Sequence, residues 1–347
     1  MAMLLGEENK RPFVPKKTHP IETGKYLIAT KEVIRMYSEI KQWIENRAPG
    51  GIAYGRPRLG KTRAVRYIRN ELPLDFGEGL PIFQLNCRQN NRPNENLFYE
   101  ELLSDFGHAL PYKGRVTMKS ERLINFLKLK AEESGTRRVV IFVDDAQRLE
   151  DLHYNVLMDI HNKLDQDGIT LTTILVGQPE LEHRRSAFVH AKQAQIVGRF
   201  MVHEYKFSGI KSLIELETCL AGYDEVSEYP DDSGWSFTRY YFPDSFVPTK
   251  QGESLMETDE TQKPKPKGFR LKNYAEEVYT LFDDLRKQAG IKKKLEIPMQ
   301  YLALSVEYLF KKYGVDGKRI DYLNLEHWNE AIRRSGYLEN EFYEDLF

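Results

Sequence analysis

The run Gly55-Arg56-Pro57-Arg58-Leu59-Gly60-Lys61-Thr62 fits the pattern G-x-x-x-x-G-K-[ST], and it constrains the chain more than any other feature. A short apolar run, Ile52-Ala53-Tyr54, leads into it, and Arg63 to Arg69 reads as the helix that follows. Strand, glycine-rich loop and helix in that order make a phosphate cradle. The glycines allow backbone geometries that a Cβ would block. Successive loop N–H groups and the helix N-terminus then face one anion. The expected nucleotide-binding residues are Gly55, Arg58, Gly60, Lys61, Thr62 and Arg63. Lys61 would reach the β- and γ-phosphates, and Thr62 would place its hydroxyl on Mg²⁺. The pattern implies a chain that binds a nucleoside triphosphate.

A second motif supports the first. Arg137-Arg138-Val139-Val140-Ile141-Phe142-Val143-Asp144-Asp145-Ala146-Gln147 is an apolar run ending in two acids. A continuous apolar run bounded by polar residues suits a strand buried on both faces of a parallel sheet. Its carboxyl end lies where ligands bind in open α/β sheets. Asp144 is the expected Mg²⁺ holder, and Asp145 the acid that would polarise an attacking water. A third strand, Thr172 to Leu181, reads T-T-I-L-V-G-Q-P-E-L, and Gln178 at its tip is the candidate contact to the γ-phosphate.

At 347 residues the chain can bury a sizeable core and is long enough for two domains. Its apolar content of 41% and charged content of 30% are ordinary for a soluble globular protein. No run has the length of a membrane span, and Met1 to Lys17 has no apolar core followed by a cleavage site. The two cysteines, Cys87 and Cys219, lie in apolar contexts without metal spacing, so buried reduced thiols are expected. These features predict a cytoplasmic protein. The net charge of −1 hides a segregated distribution. Lys10, Arg11, Lys16 and Lys17 form a basic arm, Tyr223 to Glu260 is acidic, and Lys263 to Lys272 is basic again.

Strands alternate with helical patterns up to Phe207, which predicts a parallel α/β sheet. The expected strands after the first are Pro81–Cys87, the Asp144 strand, the Gln178 strand and Val202–Phe207. Helices are expected at about Thr30–Asn46, Asn94–Leu110, Lys119–Glu133 and His153–Asp165. Beyond Phe207 the pattern turns helical, with Ser208–Gly222, Tyr274–Gln288, Met299–Tyr313 and Leu325–Ser335. The expected organisation is an extended arm at 1–28, an α/β nucleotide-binding core at 29–210 and a helical lid domain at 211–336. The lid carries an acidic, aromatic insertion at 223–268, whose second half, Thr249 to Lys267, reads as mobile. The tail 337–347 mixes acids and aromatics, and reads either as a last packed helix or as a peptide for a partner.

An α/β P-loop core followed by a small helical domain resembles the AAA+ ATPases. Gly55–Thr62, Val140–Gln147 with its D-D-A-Q ending, and Leu175–Leu181 with L-V-G-Q-P-E-L resemble most the TnsC/TniB-type regulators of DNA transposition and the secretion ATPase ExeA. Val197-Gly198-Arg199-Phe200 matches an arginine-phenylalanine pair of this group, and the likeness covers about residues 25 to 210. The resemblance implies ATP and Mg²⁺ as cofactors and assembly into a homo-oligomeric ring or helical filament. An arginine from the neighbouring subunit would reach the γ-phosphate. Arg199 is the chosen residue, with Arg184 and Arg185 as competitors. Hydrolysis would then depend on assembly. The group carries Asp-Glu where this chain has Asp144-Asp145. Asp is one methylene shorter, and a misplacement of about 1 Å can cost on the order of a hundredfold in rate, so slow turnover is expected. No clear arginine matches the group's second sensor; Arg270, Lys311 and Lys312 are the available cations.

Such regulators grip duplex DNA by its backbone. Two basic stretches between the phosphate motifs are candidates: Arg88 to Arg92, and Tyr112 to Lys119. Arg88, Arg92, Lys113, Arg115, Thr117 and Lys119 would contact phosphates, with little base readout. Further partners would be a transposase and target-selection proteins, with no membrane. Three rival readings remain: a protein-remodelling or secretion-type ATPase without DNA binding, a replication-initiator-like loader, and an ATP-switched scaffold with negligible hydrolysis.

Overall fold

A computed structural model of the chain describes residues 10–89, 92, 94–246 and 269–346. The insertion's second half, Thr249 to Lys267, lies outside the described residues. After a one-turn helix α1 (Pro20–Thr23), the chain forms α2 (Lys31–Glu45), β1 (Gly50–Tyr54), α3 (Lys61–Phe76), β2 (Ile82–Asn86), α4 (Glu95–Asp105) and α5 (Val116–Glu133). Then come β3 (Arg138–Asp144), α6 (Asp151–Gln166), β4 (Thr170–Gly177), α7 (Glu180–His190), α8 (Ala194–Phe200) and β5 (His203–Lys206). Helices α9 (Leu213–Ala221), α10 (Phe237–Tyr241), α11 (Ala275–Gln288), α12 (Met299–Tyr313), α13 (Leu325–Ser335) and α14 (Tyr337–Leu346) complete it. Contacts divide the chain into two units, one from Glu32 to Ser208 and one combining residues up to Lys31 with those from Gly209.

The first unit is built on one parallel sheet of order β2-β3-β4-β1-β5. Strand β3 shows why these segments become central strands. Its residues Val139 to Val143 are all fully buried, and successive side chains point to opposite faces. Val139, Ile141 and Val143 join Leu102 of α4, Leu127 of α5 and Leu157 of α6 on one face. Val140 and Phe142 join Ile40 of α2 and Ile68 of α3 on the other. Each such fully buried side chain contributes about 1.5–3 kcal/mol. Of the boundaries that differ from the sequence reading, two bear on the second basic stretch. Helix α4 ends at Asp105, with Gly107 at φ 79° just beyond, in the left-handed conformation that commonly closes a helix. Helix α5 begins at Val116, so Val116 to Lys119 is helix and not loop.

The second unit is helical. Its core joins Phe282 of α11, Phe310 of α12 and Trp328 of α13, all fully buried, to Tyr223, Phe237 and Tyr241 from the first half of the insertion. The N-terminal arm belongs to this core. Ile21 of α1 is fully buried, and the Arg11 guanidinium lies 3.9 Å from the Tyr240 ring centroid. His19 sits in a cage of Tyr229, Phe237, Tyr240 and Tyr241, with ring centroids 4.5–5.1 Å away. Helix α14 is anchored by buried Tyr337 against Phe282, while Phe342 and Tyr343 remain exposed.

Candidate nucleotide-binding site

The loop between β1 and α3 takes a shape that its sequence makes possible. A Cβ on Gly55 would lie 2.3 Å from the Phe207 carbonyl oxygen, so no other residue fits there. Gly60 caps α3 at φ 107°. Arg58 adopts φ 65°, a conformation that costs a side-chain-bearing residue about 1–2 kcal/mol. Buried Leu59 pins the loop to the body of the unit. Lys61 Nζ donates to the carbonyls of Gly55 and Arg56, each at 2.6 Å. The ammonium is thereby folded into the arch that the loop makes.

Thr62 and Asp144 meet across the sheet edge. Thr62 Oγ1 donates to Asp144 Oδ2 at 2.9 Å, and the Asp145 N–H donates to Asp144 Oδ1 at 3.0 Å. Burial raises the Asp144 carboxyl above its usual range, although the hydrogen bonds from Thr62 and Asp145 pull the other way. Among the described residues no cluster of three or more His, Cys, Asp or Glu could hold a metal. A hydroxyl beside one half-buried carboxylate fits Mg²⁺, which keeps waters and substrate phosphates in its shell instead of an all-protein cage.

Asp145 adopts φ 53° at the start of a short 3₁₀ turn, Ala146–Arg148. Two residues that sequence reasoning leaves without a role hold it. Gln147 Nε2 donates to Asp145 Oδ1 at 3.1 Å, and the Arg148 guanidinium lies 3.4 Å from Asp145 Oδ2. Arg148 also donates to the Cys87 carbonyl at 2.9 Å, at the end of β2. Gln147 Oε1 accepts from the Gln178 N–H at 3.2 Å. One amide therefore joins the second acid to the tip of β4. A Cβ on Gly177 would lie 2.6 Å from that same Oε1, which accounts for the glycine. Closeness in sequence to Asp145 was the only sign available for Gln147 and Arg148.

The remaining candidates are engaged by other partners or exposed. Arg199, in the last turn of α8, donates from Nη2 to Asn162 Oδ1 of α6 at 2.9 Å, and its buried Nε has no hydrogen-bond partner. Arg185 is engaged by the Met201 carbonyl at 2.8 Å and by Glu204. In the helical unit, Arg270 is 3% exposed and pairs with Glu225, Lys311 pairs with Glu307, and Lys312 pairs with Glu330. Arg88, Arg92, Lys113, Arg115 and Thr117 are exposed, and Arg88 lies 3.4 Å from Asp105. Lys119 is a correction to the sequence reading. It is 2% exposed, and its ammonium is held by Asn96 and Glu100 of α4 inside the fold, so it presents no charge to a phosphate.

Residues 44–184 match the protein family described as AAA domain. The Aeropyrum pernix ORC2 protein in its ADPNP–ADP complexes matches the whole fold with a TM-score of 0.54 at 12% identity, over 94% of this chain and 71% of that one. The ADP form of the same protein gives 0.51 at 12% identity, over 95% and 72%. Among curated proteins, none matches this chain in sequence. The chain thus has the AAA+ P-loop fold, with a helical C-terminal region. An AAA domain of this kind supports ATPase activity in general. Among the described residues no helix is long and apolar enough to cross a membrane.

Proposed function

We propose that this chain is an ATP-dependent AAA+ regulator that oligomerises on double-stranded DNA and recruits or activates a transposase at its target. The observation that carries the nucleotide part is the Thr62–Asp144 pair at the mouth of the glycine arch, 2.9 Å apart, with Asp145 beside it. The transposition part rests on the D-D-A-Q and L-V-G-Q-P-E-L motifs and on the Arg199-Phe200 pair.

In this reading Lys61 leaves the Gly55 and Arg56 carbonyls for the β- and γ-phosphates. Thr62 and Asp144 would hold Mg²⁺, which would supply charge neutralisation for the phosphates. Asp145 orients the attacking water, and Gln147 fixes Asp145 relative to Gln178. Arg199 of one subunit completes the site of its neighbour, so turnover follows assembly. Asp145 is one methylene shorter than the usual Glu and is held by Arg148, which favours slow turnover and a nucleotide that acts first as an assembly switch.

The test is binding to a labelled duplex of random sequence without nucleotide, with ADP and with a slowly hydrolysed ATP analogue, followed by imaging of the same mixtures. Tight binding only with the analogue, with rings or filaments on the DNA, is the expected result. Absence of DNA binding in every state rejects this reading in favour of a protein-remodelling ATPase. DNA-bound assemblies without measurable phosphate release identify an ATP-switched scaffold.

A further inference from the structure

A second basic surface lies away from the two loops singled out above. Arg63, Arg66 and Arg69 recur every three residues along α3, so they share one face and span about 9 Å of helix. With Asn70 and with Gln84 from β2 they line an open groove of about 580 Å³ that begins at Thr62. Strand β2 is an edge of the sheet, so the groove faces outward. The acids of α3 lie elsewhere: Asp75 is held by Tyr37 and by Lys41 at 2.8 Å, and Glu71 acts on Tyr37 and Tyr67.

Arg69 is the prepared member of the row. Its Nη1 donates to Gln84 Oε1 at 2.8 Å, while its Nε is buried without a hydrogen-bond partner. Gln84 in turn donates to Asn86 Oδ1 at 2.8 Å, and the Asn86 N–H donates to Asp105, the acid beside Arg88. The groove is therefore continuous with the carboxyl end of β2, where the Arg88 stretch begins. Burial lowers the pKa of the Arg69 guanidinium, as expected of a cation removed from water without an anion.

We propose that this groove binds the phosphodiester backbone of a DNA strand, extending the track that begins at Arg88. The inference rests on the DNA-binding reading above. Successive phosphates of one duplex strand advance about 3.4 Å along the axis, so a row of about 9 Å matches about three of them. Guanidinium forks suit phosphate oxygens bidentately. Among the described residues lining the groove none is aromatic and none is acidic. That composition matches protein–DNA interfaces, which are polar and strongly positive, better than protein interfaces, which centre on buried aromatic anchors.

The experiment measures duplex affinity of the full chain with the slowly hydrolysed ATP analogue between about 50 and 200 mM salt, the range in which counterion release is read. The variants are Arg66→Gln, Arg69→Gln and the double replacement. Lys113→Gln/Arg115→Gln is measured in parallel, and analogue affinity reports folding. Each groove arginine removed should flatten the slope of log K against log salt by about 0.9 and weaken binding at 0.1 M salt by about eightfold. Arg66→Lys should restore the slope but not all the affinity. An unchanged slope in the double variant, with the wild type binding DNA and the loop variant impaired, overturns the groove and leaves the DNA-binding reading standing. Failure of the wild type to bind duplex overturns both. Arginine-dependent binding of polyglutamate with unaltered duplex affinity also overturns the proposal and assigns the groove to an acidic protein.

Discussion

Replacing Gly177 by alanine tests how the second acid is positioned. The added Cβ would lie 2.6 Å from Gln147 Oε1 and 3.2 Å from Leu181 Cδ2. The far end of Gln147 can swing away, but only by giving up its bonds to the Gln178 N–H at 3.2 Å and Asp145 Oδ1 at 3.1 Å. Each such bond is worth about 0.5–1.5 kcal/mol net, so about 1–3 kcal/mol is lost. Reduced freedom of the unfolded chain returns about 0.4–1 kcal/mol. The melting temperature should therefore fall by no more than about 10 °C, at about 2–4 °C per kcal/mol. Lys61, Thr62 and Asp144 are untouched, so affinity for the ATP analogue should hold. A displacement of Asp145 by about 1 Å should lower kcat by on the order of a hundredfold. The assay is phosphate release at saturating ATP and DNA, beside analogue binding and thermal melting. Gln147→Ala should give the same loss, and the double variant should lose little more, because both act on one contact. Unchanged kcat in a variant with a lowered melting temperature would refute the role of Gln147 in positioning Asp145.

Other substitutions probe separate parts of the molecule. Asp145→Asn should keep ATP binding and assembly while lowering turnover by a hundredfold or so; loss of assembly would make Asp145 a structural residue. Arg199→Ala should bind ATP but not hydrolyse it, and mixing it with Asp145→Asn should restore turnover where an intact site meets an intact arginine; no recovery in the mixture counts against an arginine supplied in trans. Lys119→Gln leaves Glu100 and Asn96 without their partner and should cost about 2–3 kcal/mol in urea unfolding, with DNA affinity per folded molecule unchanged; the reverse pattern would place Lys119 on the DNA. Burial, then the charge of Arg11, lowers His19 to a pKa of about 4, against a weaker opposing pull from Asp316. The unfolded chain takes up this proton near pH 6.5, before the folded one does, so stability is full above pH 6.5 and declines as pH falls toward 4. His19→Gln should remove about 2.5 kcal/mol of the stability difference between pH 7 and pH 4.5, and an identical pH profile in the variant would show that His19 does not titrate in this way.

The sheet was legible because its signal is local. A run such as Val139 to Val143, apolar at every position, can be satisfied only where both faces are covered, and the two core clusters cover them. Helices α12 and α13 end where the sequence says they should, since Pro298 and Asn324 precede them and glycines follow. The start of α5 was harder to place. Arg115 makes no side-chain cap, so nothing before Val116 announces the helix. The N-terminal arm was harder still. Pro12, Pro15 and Pro20 do oppose a long helix, but the burial of His19 and Ile21 depends on aromatics some two hundred positions away, and no local pattern carries that information.

The same distinction separates the parts of the site. The glycine arch is contiguous, and the chemistry of a phosphate cradle dictates residue types at fixed offsets, so Gly55 to Thr62 could be read directly. Lys119 could not be read this way. It follows a basic run and looks like surface, yet its partners Asn96 and Glu100 lie on another helix, 23 and 19 positions away. Gln147 and Arg148 fall between these cases. Their spacing from Asp145 is plain in the sequence, but it brings them onto the carboxylate only because Asp145 takes a left-handed conformation and starts a tight turn. Backbone strain of that kind costs of order 1–3 kcal/mol and persists only where surrounding contacts enforce it. Here the enforcing contacts are the Gln178 N–H just beyond β4 and the Cys87 carbonyl just beyond β2. The posture of the second acid is thus set by two strands that flank its own in the sheet, and a change at the tip of either is transmitted to it through one side chain.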